Sequence, residues 1–259
     1  MENRTNEETL MVEWTRQTQS EHKNMDEYEE LFHNTQSSTL SKLENFAKHV
    51  RRQRVSRFLA HYEIYKQIIN IHGSVLDLGS NAGQSLFTWA QISSILEPVN
   101  HFRRIIGFDT FEGFPNVEKE DFMSENPSER LKEGSYSFPD LDSIHAAIKA
   151  FDNNRSLGHI PKIDVVKGNV EETLPEYLEK NKHLIVSLLH LDMDIYKPTK
   201  IALETVYPRM PKGAIIVFDE IGEEAYPGET VALIDTLGIG NLKIQRFPWT
   251  TGLSYAIKD

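Results

Sequence analysis

The stretch LIVSLLHLDMDIYK, residues 184–197, decides the fold. It opens with a continuous apolar run, which is typical of a strand buried on both faces of a parallel sheet. Because side chains alternate along a strand, His190, Asp192 and Asp194 are expected on one side of it. Ligands of open α/β sheets bind beyond the carboxyl ends of the strands, so these acids mark a candidate site. For Asp194 alone, capping of the following helix is an equally good interpretation.

A second apolar strand, residues 214–218, also runs directly into acids, Asp219 and Glu220. Successive strands are usually neighbours, so Asp192, Asp219 and Glu220 are expected to converge at one edge of the sheet. Carboxylates that close repel one another unless a cation neutralises them. No cluster of His or Cys accompanies them, and an all-oxygen ligand set favours Mg²⁺ before Ca²⁺ or Mn²⁺. The sequence therefore predicts a metal site.

Composition and charge restrict the class of protein. The chain has 259 residues with a formal net charge of −11, which argues against a nucleic-acid partner and against an anionic membrane surface. It has no cysteine, which excludes disulfides and thiolate metal sites and fits a reducing cytoplasm. The N-terminus lacks a secretory signature, and no apolar run approaches the ~20 residues of a membrane span. We expect a soluble, cytoplasmic protein.

Strands and helices alternate along the chain. Strands are predicted at 74–78, 104–108, 163–167, within 184–191, and at 214–218, 242–247 and 253–257. Helical periodicity is predicted over 41–71, from the turn after the first strand to about 96, and over 143–151, 171–178, 198–207 and 227–237. The alternation predicts an α/β fold with a doubly wound parallel sheet that ends in an antiparallel pair joined by a turn at 249–252.

Two segments fall outside that alternation. Residues 1–40, which include Trp14, are expected to form one or two surface helices. Residues 116–141 are rich in Glu, Asp, Ser and Pro, and a loop of that length is typically a lid or a binding loop. The helical pattern that follows the N-terminal segment is interrupted by Arg51, Arg52 and Arg54. These arginines either form a solvated face of the helix or contact an anionic substrate.

The turn after the first strand reads DLGSNAGQS, residues 77–85. Gly79 and Gly83 allow the backbone to approach a ligand closely at the positive end of a helix. The third glycine of the dinucleotide fingerprint is missing, which disfavours a nicotinamide-dependent oxidoreductase. Asp109, at the end of the second strand, is where nucleotide-binding sheets hold ribose hydroxyls, with a strand-end cap as the alternative.

Longer motifs resemble the macrocin O-methyltransferase (TylF) family. They are GFDTFEGFP at 107–115, LHLDMDIYKPT at 189–199, and VFDE with PGE at 217–220 and 227–229. The VRRQ…RFL segment at 50–59, together with residues 100–111, is most similar to the branch that acts on nucleotide-linked or antibiotic deoxysugars. The similarity covers residue 41 to the C-terminus.

The resemblance implies an S-adenosylmethionine-dependent, Mg²⁺-dependent O-methyltransferase that acts on a (deoxy)sugar hydroxyl in a natural-product or glycan pathway. It implies a Rossmann-like class I methyltransferase fold, with a mostly parallel seven-stranded sheet and a terminal antiparallel hairpin. Residues 1–71 would form a helical N-terminal extension and residues 72–259 the methyltransferase domain. Members form homo-oligomers, so we expect a dimer or a tetramer.

The resemblance also implies roles for individual residues. The cofactor would be held by Asp77, Gly79, Asn81, Gly83 and Ser85 around its methionine part, by Asp109 at the ribose, and by Asn169, Val170 and Glu171 at the adenine. The metal ligands would be Asp192, Asp219 and Glu220, and the catalytic residues Asp192, as ligand and base, and His190, as a partner behind it. Many relatives carry Asp at the position of Glu220, so direct binding, binding through water and no binding all stay open there.

Two other functions stay open at this point. A catechol-type phenol O-methyltransferase would use the same cofactor and the same kind of metal site. A non-catalytic subunit would retain cofactor binding and serve in assembly. The sequence does not identify the acceptor sugar, the hydroxyl that is methylated, or the nucleotide, lipid or aglycone that carries the sugar.

Overall fold

A computed structural model describes residues 19–250 and 252–259. Trp14 and the first part of the predicted N-terminal helices lie outside these residues. The helices of the described chain are α1 (Gln19–Asn34), α2 (Thr39–Glu44), α3 (Phe46–His49), α4 (Arg52–Ile68), α5 (Gln84–Leu96), α6 (Leu141–Asn154), α7 (Val170–Lys180), α8 (Tyr196–Val206) and α9 (Gly228–Thr236). Short 3₁₀ turns occur at Lys119–Phe122, Tyr207–Arg209 and Ile239–Asn241.

Within the described residues, seven strands form one sheet. They are β1 (Ser74–Leu78), β2 (Ile105–Asp109), β3 (Ile163–Lys167), β4 (Val186–Leu191), β5 (Ile215–Phe218), β6 (Gln245–Arg246) and β7 (Ser254–Ile257). The strand order is β3-β2-β1-β4-β5-β7-β6. The first five of these strands pair in parallel, and β7 pairs antiparallel with both β5 and β6. The predicted α/β fold, mostly parallel with a terminal antiparallel pair, is confirmed.

The apolar runs form strands because both faces of the sheet are covered by helices. Leu76 and Leu78 point into a core that α7, α8 and α9 complete, whereas Val75 points into a second core with α4, α5 and α6. Every residue of β1, β4 and β5 is buried. A strand with two covered faces needs continuous apolar sequence, which is the pattern that these segments carry.

The N-terminal helices differ from the prediction of one continuous helix over 41–71. The chain leaves helical geometry at Asn45 (φ −99°, ψ 36°) and again at Val50 (φ −112°, ψ 131°). Arg51 is extended, and α4 begins one residue later. α4 packs on the sheet through buried Ile64 and other apolar residues, so this helix belongs to the main core.

The strand order indicates where the sheet has its ligand crevice. The chain runs from β1 outward to β2 and β3, then returns to β4 on the other side of β1. Sheets of this kind bind ligands where the strand order reverses, which here is the carboxyl end of β1 and β4. At the far edge, the predicted strand 242–247 is reduced to Gln245–Arg246. None of the described helices is long and apolar enough to cross a membrane.

Candidate active site

A cavity of about 490 Å³ lies beyond the carboxyl ends of the central strands. The predicted site residues on its wall are Gly79, Asn81, Ser85, Asp109, Asn169, Val170, Asp192, Asp219 and Glu220. Asp77, Gly83, Glu171 and His190 are not among the described residues that border it. The three predicted metal ligands and most of the predicted cofactor residues therefore share one cavity, and four of the predicted residues do not line it.

The turn after β1 brings the backbone against the end of β4. Gly79 has φ +91°, and a Cβ built there would lie 1.8 Å from the carbonyl oxygen of Asp192. Asn81 also has a positive φ of 43°. The turn therefore needs glycine at residue 79 for two reasons, its backbone conformation and the closeness of the neighbouring strand.

Asp77 holds this turn from below. It is fully buried, and its carboxylate accepts hydrogen bonds from the hydroxyls of Ser80 (2.8 Å) and Ser85 (2.9 Å). Its other oxygen lies 2.7 Å from Nδ1 of His190. Burial opposes ionisation, but the bond from His190 and the two hydroxyl bonds outweigh it and lower the pKa of Asp77. Asp77 thus shapes the cofactor turn and orients the imidazole of His190.

Asp109 closes the opposite side of the turn. One carboxylate oxygen accepts a hydrogen bond from the backbone N–H of Asn81 (2.7 Å), and the other accepts one from Phe111 (2.6 Å). Burial raises the pKa of Asp109 above its ordinary value. The carboxylate lies on the cavity wall with both oxygens held by backbone N–H groups.

The predicted adenine segment begins α7. Asn169 is the N-cap, and its side chain accepts a hydrogen bond from the backbone N–H of Glu171 (3.0 Å). Asn169 and Val170 line the cavity. Glu171 instead turns to Lys197 on α8, at 2.8 Å, so its carboxylate ties two helices together.

The acids at the ends of β4 and β5 converge, as predicted from the rule that successive strands are usually neighbours. Ligand atoms of Asp192, Asp194 and Glu220 lie within 4.8 Å of one another, and so do those of His190, Asp192 and Asp219. Asp192 is common to both groups. Burial, and then repulsion from Asp219, raise the pKa of Asp192 well above its ordinary value. Burial and the charge of Asp219 raise the pKa of Glu220 in the same way.

A buried glutamate on α9 fixes the second acid pair. Glu229 is fully buried, and one of its carboxylate oxygens accepts a hydrogen bond from the backbone N–H of Glu220 (3.1 Å). Burial and the nearby Asp219 raise the pKa of Glu229. The PGE motif thus supplies a residue that positions Glu220, a role that the sequence analysis did not assign.

Arg57 on α4 contacts the acids from across the cavity. Its Nη2 lies 3.2 Å from Asp192 and 2.6 Å from Asp219, and its Nη1 donates to Asp219 at 3.1 Å. Burial opposes the charge of Arg57, yet Asp219 and Asp192 raise its pKa above the ordinary value. The same ion pair holds the pKa of Asp219 below its usual range although burial acts in the opposite direction. The sequence analysis missed Arg57, because an arginine within an arginine-rich helix looks like part of a solvated face.

His190 lies behind the acids. It is fully buried between Asp77 and Asp219, with Nε2 4.0 Å from Asp219. The contact of Nδ1 with the carboxylate of Asp77 fixes the ring, and the fixed ring turns Nε2 toward Asp219. Nε2 has no hydrogen-bond partner among the described residues.

The N-terminus of α8 is capped from the long loop rather than from the strand. The N-cap position is Ile195, and the backbone N–H of Tyr196 donates to Asp121 at 2.6 Å. Asp194, for which capping was an open interpretation, has φ +62° and lies on the cavity wall.

An aromatic wall faces the acids. Tyr136, from the loop 116–141, and Tyr226, before α9, share a hydrogen bond between their hydroxyls, and Phe114 packs on Tyr136. All three side chains line the cavity. Isolated aromatic residues in irregular segments carry no periodic signal, so the sequence analysis did not find them.

The sheet order, the cavity at the β1–β4 reversal and the glycine turn define a class I methyltransferase fold. The macrocin-O-methyltransferase (TylF) family model matches residues 3–232, and the chain belongs to this family. The match includes the N-terminal segment that the motifs left unassigned, and it ends before the terminal hairpin.

Solved structures agree with this assignment. The chain is 29% identical to the calicheamicin methyltransferase CalS11, with a TM-score of 0.88 over 93% of each chain. A second structure, of apo CalS11 described as a TDP-rhamnose 3'-O-methyltransferase, gives 28% identity and a TM-score of 0.80 over 93% of this chain and 95% of that one. The O-methyltransferase NovP shares the fold at 16% identity, with a TM-score of 0.60 over 79% and 80% of the two chains. Curated proteins gave no match.

The predicted activity is confirmed at the level of the family. The chain is an O-methyltransferase of the macrocin-O-methyltransferase family.

Proposed function

We propose that the protein methylates a hydroxyl of a nucleotide-linked deoxysugar, with a divalent metal, Mg²⁺ first, at Asp192, Asp219 and Glu220. The observation that carries this proposal is the single cavity that joins the cofactor turn, the acids and two arginines, Arg54 and Arg57. The similar protein CalS11 is described as acting on TDP-rhamnose. In a chain of net charge −11, arginines beside the acceptor space suit a phosphate-bearing carrier.

The residues at the glycine turn fit the cofactor. Gly79 and Asn81 present backbone to the cavity, and Asp109 stands opposite with its carboxylate fixed by two backbone N–H groups. When bound, S-adenosylmethionine supplies the methyl group. Asp109 would hold the ribose hydroxyls, Asn169 and Val170 would border the adenine, and Asp77 would keep the turn in shape through Ser80 and Ser85.

The acids fit a hard divalent cation. Asp192, Asp219 and Glu220 offer oxygen atoms only. Burial, and then repulsion from Asp219, raise the pKa values of Asp192 and Glu220, and a cation would relieve this repulsion. One oxygen of Glu220 is buried without a hydrogen-bond partner among the described residues. When bound, Mg²⁺ lowers the pKa of an acceptor hydroxyl.

Asp192 is the residue we assign as base. It borders the cavity next to Gly79, so it can take the proton of a hydroxyl that faces the cofactor turn. His190 is a positioning residue, since it is fully buried and is held by Asp77. Tyr136 and Tyr226 would form the opposite wall for the sugar ring.

Methyl transfer tests this function directly. Wild-type protein with labelled S-adenosylmethionine should methylate TDP-rhamnose with Mg²⁺ and lose that activity with EDTA. Asp219→Asn should lose the Mg²⁺ response, whereas Glu63→Gln, an exposed helix change, should keep it. Transfer to a catechol but not to the sugar nucleotide would overturn the acceptor assignment. Absence of S-adenosylhomocysteine binding in calorimetry would overturn the cofactor site.

Two expectations from the sequence, a cytoplasmic location and a homo-oligomer, stay predictions. Three apolar side chains on α2 and α3, Leu40, Leu43 and Phe46, are 65%, 60% and 58% exposed and support a contact between copies at this end of the chain. Light scattering after size-exclusion chromatography measures the number of copies, and a monomeric mass would contradict the prediction.

A further inference from the structure

Arg57 and the acids form an ion-pair cluster that spans the cavity. α4 carries the arginine on one face of the sheet, whereas Asp192 and Asp219 follow two parallel strands. The guanidinium contacts both carboxylates, at 3.2 Å and 2.6 Å, and the three side chains are 20%, 27% and 13% exposed. Such a bridge, shielded from most solvent and shared between two carboxylates, is a specific contact rather than a surface pair.

The guanidinium takes the position that a metal ion needs. Mg²⁺ binds carboxylate oxygens at about 2.0–2.1 Å. Asp219 Oδ1 lies 2.6 Å from Arg57 Nη2, so an ion bound to that oxygen would stand only a few ångströms from a second cation. Two cations that close in a site with little water repel strongly. The guanidinium of Arg57 therefore cannot stay in this position when a metal ion is bound to Asp219.

The charge balance favours replacement of the arginine. Ligand atoms of Asp192 and Asp219 lie within 4.8 Å of each other, and so do those of Asp192 and Glu220, while Glu229 is buried beside them and accepts a hydrogen bond from the backbone N–H of Glu220. One guanidinium carries a single positive charge, and it forms ion pairs with Asp192 and Asp219. A divalent ion carries twice the charge and also suits the buried Glu220 oxygen that lacks a partner among the described residues.

We propose that Arg57 is an exchangeable counter-cation, which holds Asp192 and Asp219 until a divalent metal displaces it. The proposal rests on the metal site of the proposed function. The long side chain allows the guanidinium to leave while α4 stays packed on the core through Ile64. Metal binding is thereby coupled to the release of an arginine into the cavity that receives the acceptor.

Binding of Mn²⁺ to the full chain, measured by titration calorimetry and by the electron paramagnetic resonance of the ion, tests this exchange without an activity assay. Arg57→Met removes the competing charge and should tighten Mn²⁺ binding about tenfold or more. Arg57→Lys keeps a cation and should bind Mn²⁺ less tightly than Arg57→Met. The matched control is Arg54→Met, one turn earlier on the same helix and on the same cavity wall, which should stay within about twofold of wild type.

The results distinguish failure of the exchange at Arg57 from failure of the metal site itself. Equal or weaker Mn²⁺ binding by Arg57→Met, in protein that still binds S-adenosylhomocysteine, would overturn the exchange and leave the metal site standing. If Arg57→Met does not fold, Arg57→Gln, which keeps hydrogen-bond donors without charge, carries the same expectation. Failure of every variant to bind Mn²⁺ would overturn both the exchange and the metal site, and sugar methylation in EDTA would then still support the methyl-transfer function.

Discussion

The carboxylate of Asp121 accepts a hydrogen bond from the backbone N–H of Tyr196 at 2.6 Å and thereby caps helix α8 from a loop 75 residues earlier. Its second oxygen accepts from the backbone N–H of Glu118 at 2.7 Å, and the side chain is fully buried. Gly228 lies against the same carboxylate, since a Cβ there would be 2.1 Å from it. One buried acid therefore joins the long loop to α8 and α9, next to the strand-end acids.

Asp121→Ala should lower the free energy of unfolding by about 2 kcal/mol, because two buried N–H groups lose their acceptor. Asp121→Asn keeps one oxygen as acceptor and should lie between Ala and wild type. Urea denaturation measures the stability, and limited proteolysis within 116–141 measures how well the loop is held. An Ala variant as stable and as resistant as wild type would contradict the role of Asp121.

Gly79→Ala should disrupt the site far more than an ordinary glycine substitution. The added Cβ would stand 1.8 Å from the backbone of Asp192, so β1 and β4 would have to separate. We expect a loss of stability above about 4 kcal/mol or complete loss of S-adenosylhomocysteine binding.

The matched control for this change is Gly134→Ala. Gly134 has a similar φ of +77°, but a Cβ there meets nothing within 4 Å. Only backbone strain is added, at about 1–2 kcal/mol. If the two variants were equally stable and bound S-adenosylhomocysteine equally well, the close approach of Gly79 to β4 would not matter.

The sequence predicted the sheet well because its signals are local. The predicted bounds of β1, β3 and β5 are correct to within a residue, and the acids after β4 and β5 indicated the edge where the cavity lies. The helix–strand alternation predicted parallel pairing, whereas the strand order is seen only in the structure. The edge strand β6 is shorter than predicted: Leu242 and Ile244 give the segment an alternating pattern and pack against the core, but they lie outside the paired strand.

The missed residues depend on contacts between distant segments. Arg57 meets Asp219 across 162 positions, and Asp121 meets Tyr196 across 75. No periodic pattern marks such pairs, because each partner belongs to a different element. The position of Asp77 was missed for the same reason. It was expected at the surface that holds the cofactor, but it lies beneath that surface and is bonded to His190, which belongs to another strand.

Arg103 should be essential for stability, although it lies far from the cavity. Its buried guanidinium pairs with Glu97 at 2.8 Å and donates to the carbonyl oxygens of Ile68, Ile71 and Gly73, at the end of α4 and the start of β1. Arg103→Met would remove the cation that pairs with the buried Glu97, which would keep only the hydrogen bonds from Tyr65 and Asn100, and would remove the guanidinium from these carbonyls, at a cost of about 3–5 kcal/mol. Arg104→Met, at a half-exposed neighbour, should cost less than about 1 kcal/mol in the same urea denaturation experiment. Equal costs for the two variants would contradict the role of Arg103.

Lys162 should make stability depend on pH on the alkaline side. It is 4% exposed, its ammonium donates to the carbonyl of Asn100, and burial lowers its pKa from 10.5 to about 8. Between these two values the unfolded chain binds more protons than the folded one, so the free energy of unfolding rises with pH from about 8 to 10.

Lys162→Met removes this titration. The free energy of unfolding of wild type minus that of the variant should therefore increase by up to about 3 kcal/mol between pH 8 and 10. The same difference should stay constant between pH 6 and 7. Urea denaturation of both proteins in matched buffers measures the difference, in which other titrating groups cancel. A difference that does not change between pH 8 and 10 would show that the buried ammonium keeps its ordinary pKa, stabilised by Glu97 and the Asn100 carbonyl against the cost of burial.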